Sequence, residues 1–450
     1  MTVSRLGVCG AGTMGAGIAQ LGCLGGFETF LYDPDPEALE RGAERLRSDL
    51  ARGEERGRWS GADAAAARLV PAPEVEELAG CELVIEAAPE DLGLKRELFA
   101  LLEAVCAPGA VLATNTSSLS VTAIAAGTER PERVCGMHFF NPPALMRLVE
   151  VVAGDATAPQ ALAAATDVAD RMGRTAVRAA DGIGFLANRG ARPFSLEALR
   201  LLGERVAEPD QIDRIVRLGG GYRMGPFELM DLIGIDVNLE VAKSFYAQSF
   251  GEPRWRPHPL QQRMVDAGRL GRKSGRGWYE YGDGPHRPDD PPPAPEPAGP
   301  AERDAAIEAS VRWVALPDLE RARVVEIGLP AGGRPEDLSA AGRYFAAMGK
   351  HVECTPGDAP GLVLGRIVCQ LVNEACFAVG EGVGTPEDLD TALRLGFNHP
   401  RGPFEWLAQI GAERVLDVLD SLRAELGEER YRAAPYLRRL AERPGGRGPV

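Results

Sequence analysis

Between residues 113 and 152, polar side chains recur inside apolar, strand-like sequence: ATNTSSLS (113–120), MHFFNPP (137–143) and MRLVEVV (146–152). His138 stands at a predicted strand end, before two phenylalanines and an asparagine. A neutral imidazole there can take a proton from a hydroxyl group. Such a base needs a partner that fixes its tautomer and steadies the imidazolium. Glu150 is the candidate, because an unpaired carboxylate in so apolar a run is costly. The same spacing fits equally well a hydrogen-bonded core histidine beside a surface glutamate. A second constellation opens the chain. Gly10-Ala-Gly12-Thr-Met-Gly15 follows a predicted strand and begins a predicted helix, where glycines let a backbone approach a pyrophosphate seated on the helix N-terminus. Asp33 lies 21 residues beyond Gly12, at the end of the second strand, where a carboxylate accepts hydrogen bonds from a ribose. A 2′-phosphate would be repelled there, so NAD is favoured over NADP. The competing reading is a glycine-rich turn beside a solvated aspartate.

The elements that must carry these residues alternate. Predicted strands at 6–10, 29–33, 83–88, 111–115 and 134–139 are separated by helical stretches from Thr13 to Leu24 and from Pro36 to about Ala51. Such alternation implies an α/β fold, a Rossmann-type parallel sheet with helices on both faces. From about Gly182 the pattern becomes long amphipathic helices, Leu186 to Glu204 and Leu239 to Phe250 among them. GPHRPDDPPPAPEPAGP (284–300) reads as a linker, since its proline density prevents helix and sheet alike. Residues 181–234 then align without a gap on 358–411, with about a third of the positions identical, including both GPFE segments. Upstream, LVEVV (148–152) faces VVEIG (324–328). The helical domain is therefore expected twice. The expected boundaries are 1–181 for the Rossmann domain and 182–282 for the first helical domain. A linker at 283–300, a reduced Rossmann-like segment at 301–357 and the second helical copy at 358–445 follow.

Composition narrows the class. The chain has 450 residues and a net charge of −15, which argues against nonspecific attraction to nucleic acid or to anionic membranes. No run approaches the roughly 18 apolar residues of a membrane span. No secretory leader is read at the N-terminus. The eight cysteines form no C-x-x-C pair and read as reduced core thiols, with neither a disulfide framework nor a metal site. These features point to a cytoplasmic protein.

GAGTMGAGIAQ, APED-x-x-x-K (88–95), NTSSLS, GMHFFNPP, LVEVV, GF-x-x-NR, MGPFEL and GRKSGRGWYEY occur in an order that resembles the 3-hydroxyacyl-CoA dehydrogenases, over residues 1–282. The whole chain looks like the longer bacterial form, similar to 3-hydroxybutyryl-CoA and 3-hydroxyadipyl-CoA dehydrogenases. The resemblance implies NAD-dependent oxidation of a (3S)-3-hydroxyacyl-CoA thioester, reversibly, within fatty acid metabolism. It makes His138 the base and Glu150 its orienting carboxylate. It places Ser117 on the substrate's β-oxygen near the nicotinamide, and has Asn188 hold the substrate from the helical domain. At the cofactor it places Gly10, Gly12, Thr13, Met14, Gly15, Asp33, Glu90, Lys95, Asn115, Ser117, Asn141 and Lys273. By chemistry alone Ser117 could equally cap the following helix, and Lys95 could be an exposed helix lysine. Arg52, Arg56 and Arg58 could meet the CoA nucleotide, though a solvated charged helix face is the simpler reading. A dicarboxylic acyl group would need a cation, for which Arg147, Arg189 and Arg192 are candidates. The second copy has Gly365 where Asn188 stands and no counterpart of His138 beside FFNP, so it should form no active site. In single-copy relatives the helical domain mediates dimerisation. The chain is thus expected as a homodimer, or as a pseudo-dimer within one chain. Competing functions are a dehydrogenase of a free hydroxy acid and a noncatalytic NAD(H) sensor or structural protein. Loss of the Ser/His/Glu/Asn set would mark the sensor, and all four residues are present.

Overall fold

The computed structural model describes residues 3–291, 311–330, 332–355 and 359–442. The linker beyond Pro291, residues 301–310, 331 and 356–357 of the reduced segment, and the predicted ends of the second helical copy (358 and 443–445) lie outside the described residues.

Eight strands form the first sheet: β1 (Arg5–Cys9), β2 (Glu28–Tyr32), β3 (Leu69–Ala72), β4 (Leu83–Glu86), β5 (Val111–Thr114), β6 (Val134–Phe139), β7 (Leu148–Ala153) and β8 (Thr175–Ala180). Their order is β3-β2-β1-β4-β5-β6-β7-β8. β1 lies between β2 and β4, so the strand order reverses where the glycine loop leaves the sheet, the usual ligand crevice of such folds. β4, β5 and β6 are buried along their whole length, as their near-continuous apolar runs require. One pairing departs from the all-parallel expectation: β6 and β7 are antiparallel. Only residues 140–147 join them, too few for the crossover that parallel neighbours need. β3 and β8 carried little sequence signal, β3 because of Pro71 on an edge strand and β8 because it is alanine-rich and half-exposed.

A second sheet, ordered β11-β10-β9, comprises β9 (Arg312–Val314), β10 (Val324–Gly328) and β11 (His351–Thr355). β10 and β11 are parallel around the helix Pro335–Ala347, and β9 runs antiparallel to β10. This repeats β6, β7 and β8 in miniature. The helices Ala187–Gly203 and Leu364–Gly380 are corresponding elements of the duplicated domain. The predicted helix from Leu239 instead spans Ile235–Gln248, and Phe250 lies beyond it at φ 54° and 99% exposed.

The chain divides into two compact units, residues 1–187 with 382–396, and residues 188–381 with 397–450. This partition cuts across the sequence boundaries because a segment of the second helical copy packs with the first sheet. In the first unit Ala180 N–H donates to Val383 O at 2.8 Å, and Gly384 lies against Leu186. In the second unit the corresponding part of the first copy packs on the small sheet. There Gln211 Nε2 donates to Cys354 O at 2.9 Å, and Arg214 pairs with Glu353 at 2.5 Å. Seven cysteines are buried as expected, but Cys354 is exposed because it lies on the half-covered edge strand β11.

Within the second unit the two helical copies meet through reciprocal ion pairs. Arg189 pairs with Glu374 at 2.7 Å and with Glu381 at 2.7 Å. Arg366, its counterpart at an offset of 177, pairs with Glu197 at 2.5 Å and Glu204 at 2.6 Å. These are the counterparts of Glu374 and Glu381, so the contact is self-complementary in the manner of a two-fold interface.

Glu326 on β10 is fully buried and accepts the Val363 and Leu364 amides at 2.7 and 3.1 Å. Burial pushes its carboxyl up to about 7, against the pull of those two amides. A carboxyl raised in the folded state contributes stability that is complete below its unfolded pKa and lost as pH rises through the folded one. Glu326→Gln should therefore gain on the wild type by roughly 3 kcal/mol as pH goes from 4.5 to 7. Urea midpoints across that range test this, and a pH-independent difference would refute it.

Candidate active site

The glycine loop is shaped by contacts that exclude side chains. Gly10 has φ +102°, and a Cβ on Gly15 would lie 1.7 Å from Gly10 O. Gly12, by contrast, faces open space, with no atom within 4 Å of where its Cβ would stand. The helix Thr13–Leu24 starts there with no side-chain cap and no acidic residue in its first turn. Its orphan amides and positive dipole end are left for an anion. Asp33 accepts Ala11 N–H at 2.7 Å through Oδ2 and Asp35 N–H at 3.0 Å through Oδ1. Those bonds fix the carboxylate while lone pairs remain for ribose hydroxyls. Thr13 Oγ1 accepts from Arg45 at 2.7 Å, a contact no local motif signalled, and Met14 packs partly buried on the core. An open cradle, free amides and a fixed carboxylate fit a dinucleotide.

His138 and Glu150 are direct partners across the antiparallel β6–β7 pair, so their side chains share a face. His138 Nδ1 lies 2.6 Å from Glu150 Oε2. Glu150 is completely buried, and its Oε1 accepts the Leu186 and Ala187 amides at 3.0 and 2.8 Å. An acceptor at Nδ1 places the ring proton there and leaves the Nε2 lone pair free. The rings of Phe140 and Phe185 lie 4.5 and 5.9 Å from the imidazole and limit its rotation.

Glu90 fastens the NTSSLS loop: its Oε1 accepts Thr116 Oγ1 at 2.6 Å, Ser118 Oγ at 2.9 Å and the Ser117 amide at 3.1 Å. Burial alone would raise its carboxyl, but the Thr116 bond, the Lys95 ammonium and the serine contacts outweigh it and hold the group below its ordinary value. Lys95 is 1% exposed and committed to Glu86 at 2.5 Å and Glu90 at 3.3 Å. Through Glu90 it is tied to the NTSSLS loop. A buried ammonium needs such partners. Glu86, which the sequence did not single out, also accepts Thr114 Oγ1 at 2.7 Å. Asn115 Oδ1 accepts the Phe139 amide at 2.8 Å, which ties the loop to the strand carrying His138. Ser120, not Ser117, caps the helix Val121–Ala125. Ser117 Oγ and Asn141 are exposed and have no side-chain partner among the described residues.

Profiles of known families settle the affiliation. The one described as "3-hydroxyacyl-CoA dehydrogenase, NAD binding domain" matches residues 5–182, and its "C-terminal domain" companion matches twice, at 184–281 and 361–446. The chain belongs to the 3-hydroxyacyl-CoA dehydrogenase family. It is 40% identical to a 3-hydroxyadipyl-CoA dehydrogenase of Escherichia coli K12 over 98% of both chains. It is 42% identical to a probable 3-hydroxybutyryl-CoA dehydrogenase of Bacillus subtilis, over 62% of this chain and 98% of that one. A crystal structure described as 3-hydroxybutyryl-CoA dehydrogenase from E. coli K12 superposes with a TM-score of 0.89 at 38% identity, over 98% of each chain. The protein is thus an NAD-dependent 3-hydroxyacyl-CoA dehydrogenase, an oxidoreductase.

In this dehydrogenase Asn188 and Lys273 belong to the second unit. Asn188 is half-buried with no partner among the described residues, whereas Lys273 is paired with Asp236 at 2.6 Å. The second copy keeps the geometry and loses the chemistry. Across from Glu326 stands Val314, where His138 faces Glu150. Gly365, the counterpart of Asn188, lies against Val314, and both line a cavity of about 610 Å³. Phe185 and its counterpart Leu362 both have positive φ, 49° and 50°, so that strain belongs to the duplicated turn and not to catalysis. Among the described residues no helix is long and apolar enough to cross a membrane.

Proposed function

We propose that the protein interconverts (3S)-3-hydroxyacyl-CoA and 3-oxoacyl-CoA in the cytoplasm, with His138 as the proton-transfer residue. The observation that carries this is the 2.6 Å contact from His138 Nδ1 to a carboxylate whose other oxygen is held by two backbone amides. Bound NAD supplies the hydride acceptor, or NADH the donor. His138 Nε2 takes the substrate's hydroxyl proton as the β-carbon is oxidised, and returns it in reduction. Glu150 holds the Nδ1–H tautomer and stabilises the imidazolium at short range, both side chains being buried. Ser117 Oγ, on a loop fixed by Glu90, donates to the β-oxygen, and Asn188 helps hold the thioester. Residues 1–181 carry the cofactor and 182–282 the substrate-holding helices. The second helical copy takes the place of a partner subunit.

Arg56 and Arg58 line one cavity of about 230 Å³ together with Trp59, Leu145 and Arg52, the last already paired with Asp49. Cations gathered beside an aromatic ring suit phosphates and an adenine better than a plain solvated face does. We assign the CoA nucleotide to this cavity. The test of the whole reading is NADH oxidation with acetoacetyl-CoA, beside NADPH and beside His138→Ala. Turnover that requires NADH and collapses in the variant supports it. Tight NADH binding without turnover on acetoacetyl-CoA or on any longer or dicarboxylic thioester would overturn it.

A further inference from the structure

The cavity of about 610 Å³ beside Val314 and Gly365 lies wholly within the second unit and takes no part in the chemistry proposed for His138. Its volume falls in the range of about 300–1,000 Å³ typical of small-molecule sites. Three of its lining residues, Val314, Gly365 and Cys369, are the counterparts of His138, Asn188 and Arg192. The residues that could move a proton or hold a thioester are thus absent, and 301–357 contains no G-x-G-x-x-G to hold a dinucleotide. A site that had merely decayed would be expected to close up, since protein interiors are close-packed and empty apolar volume is destabilising. This one has stayed open: a Cβ on Gly365 would meet only the Val314 methyls, at 3.6 and 3.8 Å.

While those polar groups were lost, two others were gained. Gln409 and Arg414 line the cavity on either side of the turn at Gly411, where the first copy has the apolar Leu232 and Val237. Arg414 is exposed and forms no ion pair or hydrogen bond among the described residues. Gln409 Oε1 accepts from Arg401 at 2.7 Å, which leaves its NH₂ group to donate. The carboxylate in the lining, Asp318, accepts the Arg321 amide at 2.8 Å and faces the Arg321 guanidinium at 3.7 Å. The walls are apolar, with Trp313, Leu316, Leu319, Ile410 and Val418 among them. An apolar interior with a donor-only polar end fits an apolar chain that carries one anionic head. One guanidinium and one amide suit a single carboxylate, whereas a CoA nucleotide with its several phosphates would need more cations.

We propose that this cavity is a second, noncatalytic ligand site, and that it takes a free carboxylate with a medium-length acyl chain. The chain lies among Trp313, Leu316 and Val418, and the carboxylate meets Arg414 and the Gln409 amide. The second copy has therefore exchanged catalysis for binding. This site is separate from the one proposed to turn over the thioester and does not depend on it.

The test is calorimetric titration of the full-length protein with hexanoate, octanoate, decanoate and decanol. NAD and acetoacetyl-CoA are present in excess to occupy the catalytic site; both are oxidised forms and do not react together. One decanoate should bind per chain, with affinity rising about fourfold for each added methylene. Decanol should bind two- to about fivefold more weakly than decanoate, the worth of an exposed charge pair. Gly365→Leu, which fills the cavity and replaces a helix glycine by a better helix former, should weaken decanoate about tenfold or more. Arg414→Met, at an exposed position, should remove the preference for decanoate over decanol and leave decanol binding unchanged. Absence of saturable binding overturns the proposal, as does an affinity that Gly365→Leu leaves intact. Equal wild-type binding of decanoate and decanol overturns the assignment of a carboxylate to Arg414. NADH oxidation with acetoacetyl-CoA is measured separately, so failure of this site leaves the proposed function standing.

Discussion

Glu150→Gln should lower kcat by about 10³- to 10⁴-fold while leaving KM for the thioester nearly unchanged. The reason lies in how Glu150 divides its two oxygens. Oε1 accepts two backbone amides, and Oε2 faces His138 Nδ1. A glutamine has one acceptor and one donor for these two jobs. Two amides compete with one ring proton for the carbonyl, and the amides win, which turns the NH₂ group toward Nδ1. The imidazole must then accept at Nδ1 and carry its proton on Nε2, the tautomer unable to take a proton from substrate. His138→Ala should cost a comparable factor, and the double variant should cost little more than either, because the two residues act as one unit. A loss below tenfold in Glu150→Gln, with the protein folded by circular dichroism, would refute the arrangement. Equal losses in kcat and gains in KM would indicate a binding role instead.

Arg366→Met should destabilise the second unit by about 3–5 kcal/mol. Arg366 is 1% exposed and bonds Glu197, Glu204 and the Tyr431 hydroxyl. Removing the guanidinium leaves Glu197, itself 2% exposed, as a buried charge whose remaining cation is Arg200 at 3.5 Å. The penalty is that uncompensated charge and not the worth of the pair. A variant carrying Glu197→Gln as well should therefore recover part of the loss. Urea unfolding of the two variants measures this. A single-variant cost below 1 kcal/mol, or no recovery in the double, would show that the pair is dispensable.

Much of the site could be read before any fold was known. The glycine loop is legible because each glycine answers a local steric demand within one strand–turn–helix unit. Asp33 is legible because a strand of fixed rise and one helix determine its distance from Gly12. The duplication is legible because GPFE and its neighbours recur at a constant offset. His138 and Glu150 were both visible as polar residues in apolar strands, since burial of such groups demands a partner.

Other features depend on contacts between residues far apart in the chain, which no local pattern carries. The predicted parallel sheet would not set His138 opposite Glu150; the antiparallel β6–β7 pairing does so, in register. That Glu150 also fixes the turn at Leu186 and Ala187 follows only from packing, and Glu326 doing the same with Val363 and Leu364 shows that this bond comes from the duplicated framework. Lys95 looked like a surface or ligand-binding lysine, and only the placement of Glu86 and Glu90 reveals it as a buried counter-ion. Arg189 and Arg192 are three residues apart on one helix and cannot be told apart by type or spacing. Tertiary structure separates them, because the second helical copy brings two carboxylates to Arg189 and, among the described residues, none to Arg192. Residue types and short-range spacing determined the cofactor class and singled out His138 and Glu150. Long-range packing decided which charges are already neutralised.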